Sequence, residues 1–392
     1  MSQLLESRWS ETKDALLEGL QGNKRSVMAT TLENTRKYLS ESATAGATSA
    51  GNVATLNRVI LPVIRRVMPT VIANELVGVQ PMTGPVGQIH TLRVRYADSF
   101  NSTSGTDTTA GEEALSPFKI AEGYSGAAAT DKAAATAALE GQAGNRLSIQ
   151  ILKQTVEAKT RKLSARWTFE AAQDAQAQQG IDIEAEVMAA LAQEITAEID
   201  QEIIGSLSSL AGTAALTYDQ AAVSGTATFV GDEHAALAVQ INRVANLIAQ
   251  RTRRGAGNWA VVSPAILTVL QSATTSAFAR TTEGTFEAPT NTKMVGTLNN
   301  AMKVYVNTYS ADDAPVLVGY KGSSESDAPA FYCPYIPLMS SGVVLDPATF
   351  EPTVSFMTRY GYVELSNTAS SLGNAADYLG KVAITNGSVS FS

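Results

Sequence analysis

Cysteine is almost absent: Cys333 stands alone among 392 residues. A single cysteine excludes an internal disulfide and a cysteine-based zinc site, and its expected state is a buried, inert thiol. Histidine is nearly as scarce, with His90 in a candidate strand and His234 near a helix start. Neither has a partner at metal-ligand spacing, so both read as structural. No stretch approaches about 18 consecutive apolar residues, which argues against a membrane-spanning helix. The opening MSQLLESRWSETKDALLEGL has no apolar core beside basic residues and does not read as a secretory signal. Charged residues are few, at 17%, and the net charge is -8. Such a chain does not attract a polyanion over its whole surface, so sequence-reading nucleic-acid binding is not expected. Catalytic signatures are missing too: there is no Gly-x-Ser-x-Gly elbow, Walker loop or dinucleotide fingerprint. The glycines at Gly84 and Gly87 flank Pro85 with no Lys-Ser/Thr after them, and read as a turn. The expectation is therefore no enzyme: no catalytic residues, no cofactor and no metal.

What is present is a long α+β pattern without an internal repeat. Residues 1–41 read as amphipathic helix, with Leu5, Trp9, Leu16, Leu17 and Leu20 at mostly helical spacing and a second piece from about Met28 to Leu39. The run Ser42–Asn52 is small, polar and aperiodic, and reads as a flexible linker. From Val53, the residues Leu56, Val59, Ile60, Val63, Ile64 and Val67 make a helical stripe that Pro62 should kink. Residues 89–96 alternate as a strand. The stretch 98–145 is rich in Gly, Ala, Ser and Thr and lacks the large apolar residues of a core. Strand texture returns over 146–169, at Leu147, Ile149 and Ile151 and again at Leu163, Ala165, Trp167 and Phe169. Two strands around a small-residue tip suggest a β-arm, and an isolated hairpin is marginal in water, so it must lie on something.

The longest helix is expected over 181–210. Ile183, Val187, Leu191, Ile195, Ile199, Ile203 and Leu207 repeat every four residues. At about 100° per residue each step overshoots a turn by about 40°, so the stripe rotates by roughly 240° along the helix. Such a helix touches different elements at its two ends. Another helix is expected from about Glu233 to Arg254, capped by Asp232 and ended by Gly255, with Leu237, Ile241, Val244 and Ile248 on one face. Trp259–Val262 then reads as a buried strand, and Ser263 with Pro264 opens a further helix. The rest is strand-rich. Glu184, Glu186, Glu194, Glu198 and Glu202 resemble a carboxylate cluster, but without accompanying histidines they read as a solvated or inter-subunit side. Arg251, Arg253 and Arg254 read as helix-end charges rather than a grip on DNA.

Three stretches resemble the major capsid protein family of large contractile-tailed bacteriophages: RVILPVIRRVMPTVIANELVGVQPMTGPVGQIHTLR (Arg58–Arg93), NWAVVSPAILTVLQS (Asn258–Ser272) and YCPYIPLMSSGVVLDPATFEPTVSFMTRYGYV (Tyr332–Val363). They lie in the family's order, and the resemblance is weak over about 101–144. It implies the tailed-phage capsid fold of the Hong Kong phage type. Residues 1–52 would be an N-terminal arm, with 1–41 a propeptide followed by the linker. The peripheral domain would begin over 53–88, and 89–169 would form the extended loop. Residues 170–214 would carry the spine helix, 215–340 the axial domain, and 341–392 the strands returning to the peripheral domain. The extra domain that well-known members insert in the extended loop is expected to be missing.

The resemblance also implies trimming by a prohead protease after Glu in a Leu/Ile-x-Glu sequence. The triplets are Leu4-Leu5-Glu6, Leu16-Leu17-Glu18 and Leu39-Ser40-Glu41, and the expected cut lies between Glu41 and Ser42. Lys153, Lys159, Arg161, Lys162 and Arg166 lie between the apolar positions of the arm and are candidate inter-subunit contacts. The implied partners are further copies of the chain in hexamers or pentamers, a scaffold, a portal, decoration proteins and packaged double-stranded DNA, with assembly in the bacterial cytoplasm and residence in the virion. A vertex paralogue and an encapsulin-like protein shell are the alternatives.

Overall fold

The computed structural model describes residues 9–10, 13–44, 72–103, 107–112, 114, 121–127, 130–179, 182–219, 230–252, 254–272, 278–280, 293–299, 301–346, 349, 351–365 and 375–386. The expected helical stripe over 53–67 lies outside them. In chain order the elements are α1 (Gly22–Thr44), α2 (Ala73–Leu76), β1 (Gly78–Val79), β2 (Val86–Tyr96), α3 (Thr136–Leu139), β3 (Leu147–Glu157), β4 (Lys159–Arg166), α4 (Phe169–Gln179), α5 (Ile183–Leu210), β5 (Leu216–Asp219) and α6 (Val230–Thr252). There follow β6 (Trp259–Val262), α7 (Pro264–Ser272), β7 (Phe278–Arg280), β8 (Lys293–Leu298), β9 (Met302–Val306), β10 (Val316–Gly319), β11 (Ala330–Ser340), β12 (Val344–Leu345), β13 (Pro352–Glu364) and β14 (Leu379–Thr385). The class is α+β. Residues 1–87, 156–205 and 331–363 form one compact unit, and 88–155, 206–330 and 364–392 the other.

The first unit holds a five-stranded sheet in the order β1-β11-β13-β12, with β4 also on β13. β1 runs parallel to β11, and β4 runs antiparallel to β13 from Arg166 opposite Thr353 to Lys159 opposite Tyr360. On α5 the four-residue repeat is buried from Leu191 onward, with Ile195, Ile199 and Ile203 at 2% exposure or less, while Ile183 and Val187 are only half-buried. Helix α1 is longer than the spacing predicts at both ends and crosses the start of the expected linker. Gly19 before it and Gly22 at its first position have positive φ, a conformation glycine adopts without strain. Val27, Met28, Thr31 and Leu32 share one face of α1 and are buried, so this half of the N-terminal segment is part of a core.

The second unit is built on a seven-stranded sheet in the order β5-β14-β10-β6-β9-β8-β7. Leu237, Ile241, Val244 and Ile248 of α6 and Ile266, Val269 and Leu270 of α7 join Val304, Val316, Val318 and Val382 in one apolar core. Helix α7 starts as expected: the Ser263 hydroxyl accepts from the Ile266 amide, with Pro264 at the first helical position. Helix α6 starts earlier than expected, at Val230, so Asp232 lies inside its first turn rather than capping it. Gly319 faces Trp259 across the ladder, where a Cβ would meet the indole at 2.1 Å, so only glycine lets that buried ring lie flat on the strand.

Sheet membership divides the chain differently from the apolar spacing. β2 and β3 pair as a separate two-stranded sheet, while β4, which follows β3 after Ala158, belongs with β13. β11 and β13 share one sheet, whereas β14 lies between β5 and β10 in the other. Pairing partners that are hundreds of residues apart set these memberships, and period-2 spacing carries no information about them.

Candidate functional site

The β2–β3 arm presents the one stretch of three alternate exposed aliphatics among the described residues. Leu147, Ile149 and Ile151 are 55%, 69% and 64% exposed, and period-2 geometry puts them on one face of β3 with Lys153 next in line. Among the described residues nothing in the arm covers this face. The arm's far end is tied by its own side chains. The Tyr124 ring packs tilted against Tyr96 at 4.6 Å and edge-on to Phe100 at 6.2 Å. Arg146 donates to Asp98 through its backbone and its guanidinium, at 2.8 and 3.2 Å, and these hydrogen bonds hold the Asp98 carboxyl below the usual range. Tyr124 also donates to the Arg146 carbonyl at 2.7 Å. Composition alone did not reveal this aromatic knot, because its members are spread over a stretch otherwise poor in large side chains.

The arm's root is closely packed. The Ala158 amide donates to the Pro85 carbonyl at 2.9 Å. Gly361 of β13 lies under Val156, and a Cβ there would meet the Val156 methyl at 2.3 Å. On β4, Arg161 turns inward. Its guanidinium donates to Tyr360 Oη at 2.5 Å and to Glu198 and Glu202 of α5, and Tyr360 donates to Glu202. Partial burial opposes the charge on Arg161, yet the bonds from Glu202 and Tyr360 outweigh it and raise its pKa. Glu202 is likewise opposed by burial but held below its usual range by Tyr360 and Arg161. One helix, one central strand and the strand leaving the arm are thereby fixed to each other.

The candidate contact residues therefore separate. Lys153 is exposed on the arm, while Lys159, Lys162 and Arg166 are exposed on β4. Arg166 reaches Glu351 at 3.6 Å. Arg161 is committed within its own unit. Beside β4 runs a groove of about 460 Å³ lined by Leu163, Met339, Phe356 and Met357 with Lys162 at its edge. Glu41 and Ser42 lie in the last turn of α1. Sequence reasoning passed over Asp200, which is 2% exposed on α5 and accepts from the Ile72 amide at 2.9 Å. Burial pushes its carboxyl up to about 7 against that hydrogen bond. Its place in the repeat, one residue after Ile199, was the available signal.

The groups that could suggest chemistry have ordinary explanations. His234 Nδ1 lies 2.6 Å from Ser272 Oγ, and that hydroxyl also lies 2.9 Å from the Val269 carbonyl at the end of its own helix. Cys333 is buried, which pushes its thiol up to about 12. Among the described residues no three His, Cys, Asp or Glu side chains cluster for a metal, and no helix is long and apolar enough to cross a membrane.

Comparison with known proteins bears on residues 53–384, which match the family model described as major capsid protein Gp23. The major capsid protein of Vibrio phage KVP40 is 30% identical over 84% of this chain and 80% of its own length. That of Enterobacteria phage T4 is 30% identical over 83% of this chain and 78% of its own. Among solved structures, a chain from the capsid of Myoviridae phage XM1 aligns with 79% of this chain and 89% of that chain at a TM-score of 0.44 and 9% identity.

Proposed function

This chain belongs to the major capsid protein Gp23 family and is a structural subunit of a bacteriophage head, and we propose that it holds its neighbours through the β2–β3 arm. The exposed face of Leu147, Ile149 and Ile151 carries this reading. Three aliphatics left in water on a two-stranded sheet cost several kcal/mol that only a partner recovers, at roughly 25 cal/mol per Å². In a shell that partner is a second copy of the chain, repeated around a hexamer or pentamer.

The other elements take roles in the tailed-phage capsid fold of this family. The first unit's sheet and α5 would form the peripheral domain with its spine helix, and the seven-stranded sheet the axial domain. The Arg161–Glu202–Tyr360 cluster would hold β4 on α5 and β13. Lys153, Lys159, Lys162 and Arg166 would meet acidic surface on neighbours, for which the exposed Glu184, Glu186 and Glu194 of α5 are suited. The head would enclose double-stranded DNA without sequence specificity, in keeping with the net charge of -8. The chain would perform no catalysis. A prohead protease cutting between Glu41 and Ser42 would first have to unwind the last turn of α1.

The test is the double variant Ile149→Lys/Ile151→Lys, followed by sedimentation and negative-stain microscopy. The expected result is a folded chain with the wild-type melting temperature that no longer forms shells. Normal shells from this variant would overturn the arm reading.

A further inference from the structure

We propose that Asn386 is a spontaneous modification site: its side-chain amide is lost to water, and the acid left in its place unfastens the edge strand β5. Asn386-Gly387 is the one Asn-Gly pair in the chain, and every other asparagine is followed by a residue with a side chain. The pair matters because the nitrogen of the next residue is the attacking group, and glycine, without a Cβ, hinders it least. Asn386 stands just past the end of β14, exposed, at a φ of 56°. Asn299 has nearly the same setting, exposed just past the end of β8 at a φ of 52°, but Asn300 follows it. The two positions share backbone conformation and exposure and differ in the next residue.

The position is coupled to the sheet. β5 is the end strand of the seven-stranded sheet and runs parallel to β14, with Thr385 opposite Asp219 as the last pair. Asn386 Nδ2 donates to Asp219 Oδ1 at 2.9 Å, and Thr385 Oγ1 donates to the Tyr218 carbonyl at 3.4 Å. These two side chains fasten the end of β5, which carries the buried Tyr218. In the step itself the Gly387 nitrogen bonds to Asn386 Cγ and gives up its proton, the Cγ–Nδ2 bond breaks, and ammonia leaves. Water then opens the five-membered ring at either carbonyl. The product is an aspartate or an isoaspartate, the latter with one more methylene in the main chain. Either acid replaces the donor to Asp219 by a second carboxylate. Two carboxylates at that spacing repel, so the fastening becomes a like-charge contact. While the hydrogen bond lasts, Asp219 holds the amide and slows closure of the ring. The reaction needs only water and no partner chain, so it stands apart from the shell reading above.

The test ages the intact wild-type chain at pH 8 and follows the tryptic peptides that carry Asn386 and Asn299, each conversion adding about 1 Da. Asn386 is expected to convert at least tenfold faster than Asn299, with isoaspartate among the products. Equal rates would overturn the assignment of the site. The Asn386→Asp chain supplies the acid from the start. Asn386→Gln keeps an amide whose longer side chain closes a ring far more slowly, and serves as the control that does not age. Amide exchange over Leu216–Asp219 should be at least threefold faster in aged wild type and in Asn386→Asp than in Asn386→Gln. The Val261 and Val318 amides should be unchanged, as the sign of an intact sheet. The same exchange over Leu216–Asp219 in all three chains would show that the acid does not unfasten β5, and the proposal fails at that step. Asp219→Ala frees the amide and should speed conversion of Asn386 at least threefold; an unchanged rate would remove Asp219 as its guard.

Discussion

Strand β3 carries aliphatics at alternate positions and strand β10 carries three in a row, yet one turns its aliphatics to solvent and the other hides them. Val316, Leu317 and Val318 are at most 2% exposed, whereas Leu147, Ile149 and Ile151 are between 55% and 69% exposed. Strand propensity does not distinguish the two. What differs is the setting. β10 has β14 on one side and β6 on the other, under α6 and α7. β3 has only β2. An alternating strand states that one face is to be buried; it does not say by which molecule. In a subunit that builds a shell, the buried faces divide into those covered before assembly and those covered by it.

The sharpest break of this comparison comes from matched truncations. Ile266→Ala, at 0% exposure in the second unit's core, should cost about 2–5 kcal/mol of stability, read as a lowered melting temperature and denaturant midpoint. Ile149→Ala should change monomer stability by less than about 0.5 kcal/mol while weakening assembly. Equal losses of stability from the two would remove the distinction between inward and outward strands.

The same contrast recurs along α5, where Asp200 points inward and Glu184, Glu186 and Glu194 point out. The Asp200 carboxyl, pushed up to about 7 by burial, holds a proton more readily in the folded chain than in the unfolded one. Folding is therefore favoured at low pH, and this contribution is lost as pH rises from about 4 through 7. Asp200→Asn, which keeps an acceptor for the Ile72 amide without the charge, should stabilise the chain by roughly 1–3 kcal/mol at pH 8. The gain should shrink towards zero near pH 4. A gain that does not vary with pH would mean that Asp200 is not the titrating group.

Much of this architecture was legible beforehand. The four-residue repeat placed α5 to within two residues, and Ser263-Pro264 marked the start of α7. Those features are local, and local spacing encodes them. The sheet to which each strand belongs was not legible. Nothing in RKLSAR announces that β4 leaves the arm for β13, since its pairing partner lies some two hundred residues on. The docking of α1 through Asn23 and Asn34 was equally hidden, because an asparagine in a polar helix carries no sign that its amide ends a distant ladder. Of the candidate site, the exposed aliphatics of β3 were read as a strand, but their exposure became visible only with the fold.

Arg161 lies between the two extremes, half-buried at the root of the arm, and its loss should have a smaller effect. Arg161→Met keeps the aliphatic stem and removes the bonds to Glu198, Glu202 and Tyr360. The pair is partly solvated, so a cost of only about 1–2 kcal/mol is expected. Glu202 is held below its usual pKa, so its contribution is present above the unfolded carboxylate range and is lost as pH falls through the folded value. Urea titrations of wild type and Arg161→Met should therefore differ at pH 7 and converge at acid pH. If a firmly held β4 is needed for assembly, the variant will form misshapen particles at a temperature where its monomer is still folded. Regular particles together with the stability loss would confine Arg161 to holding β4 on α5 within its own unit.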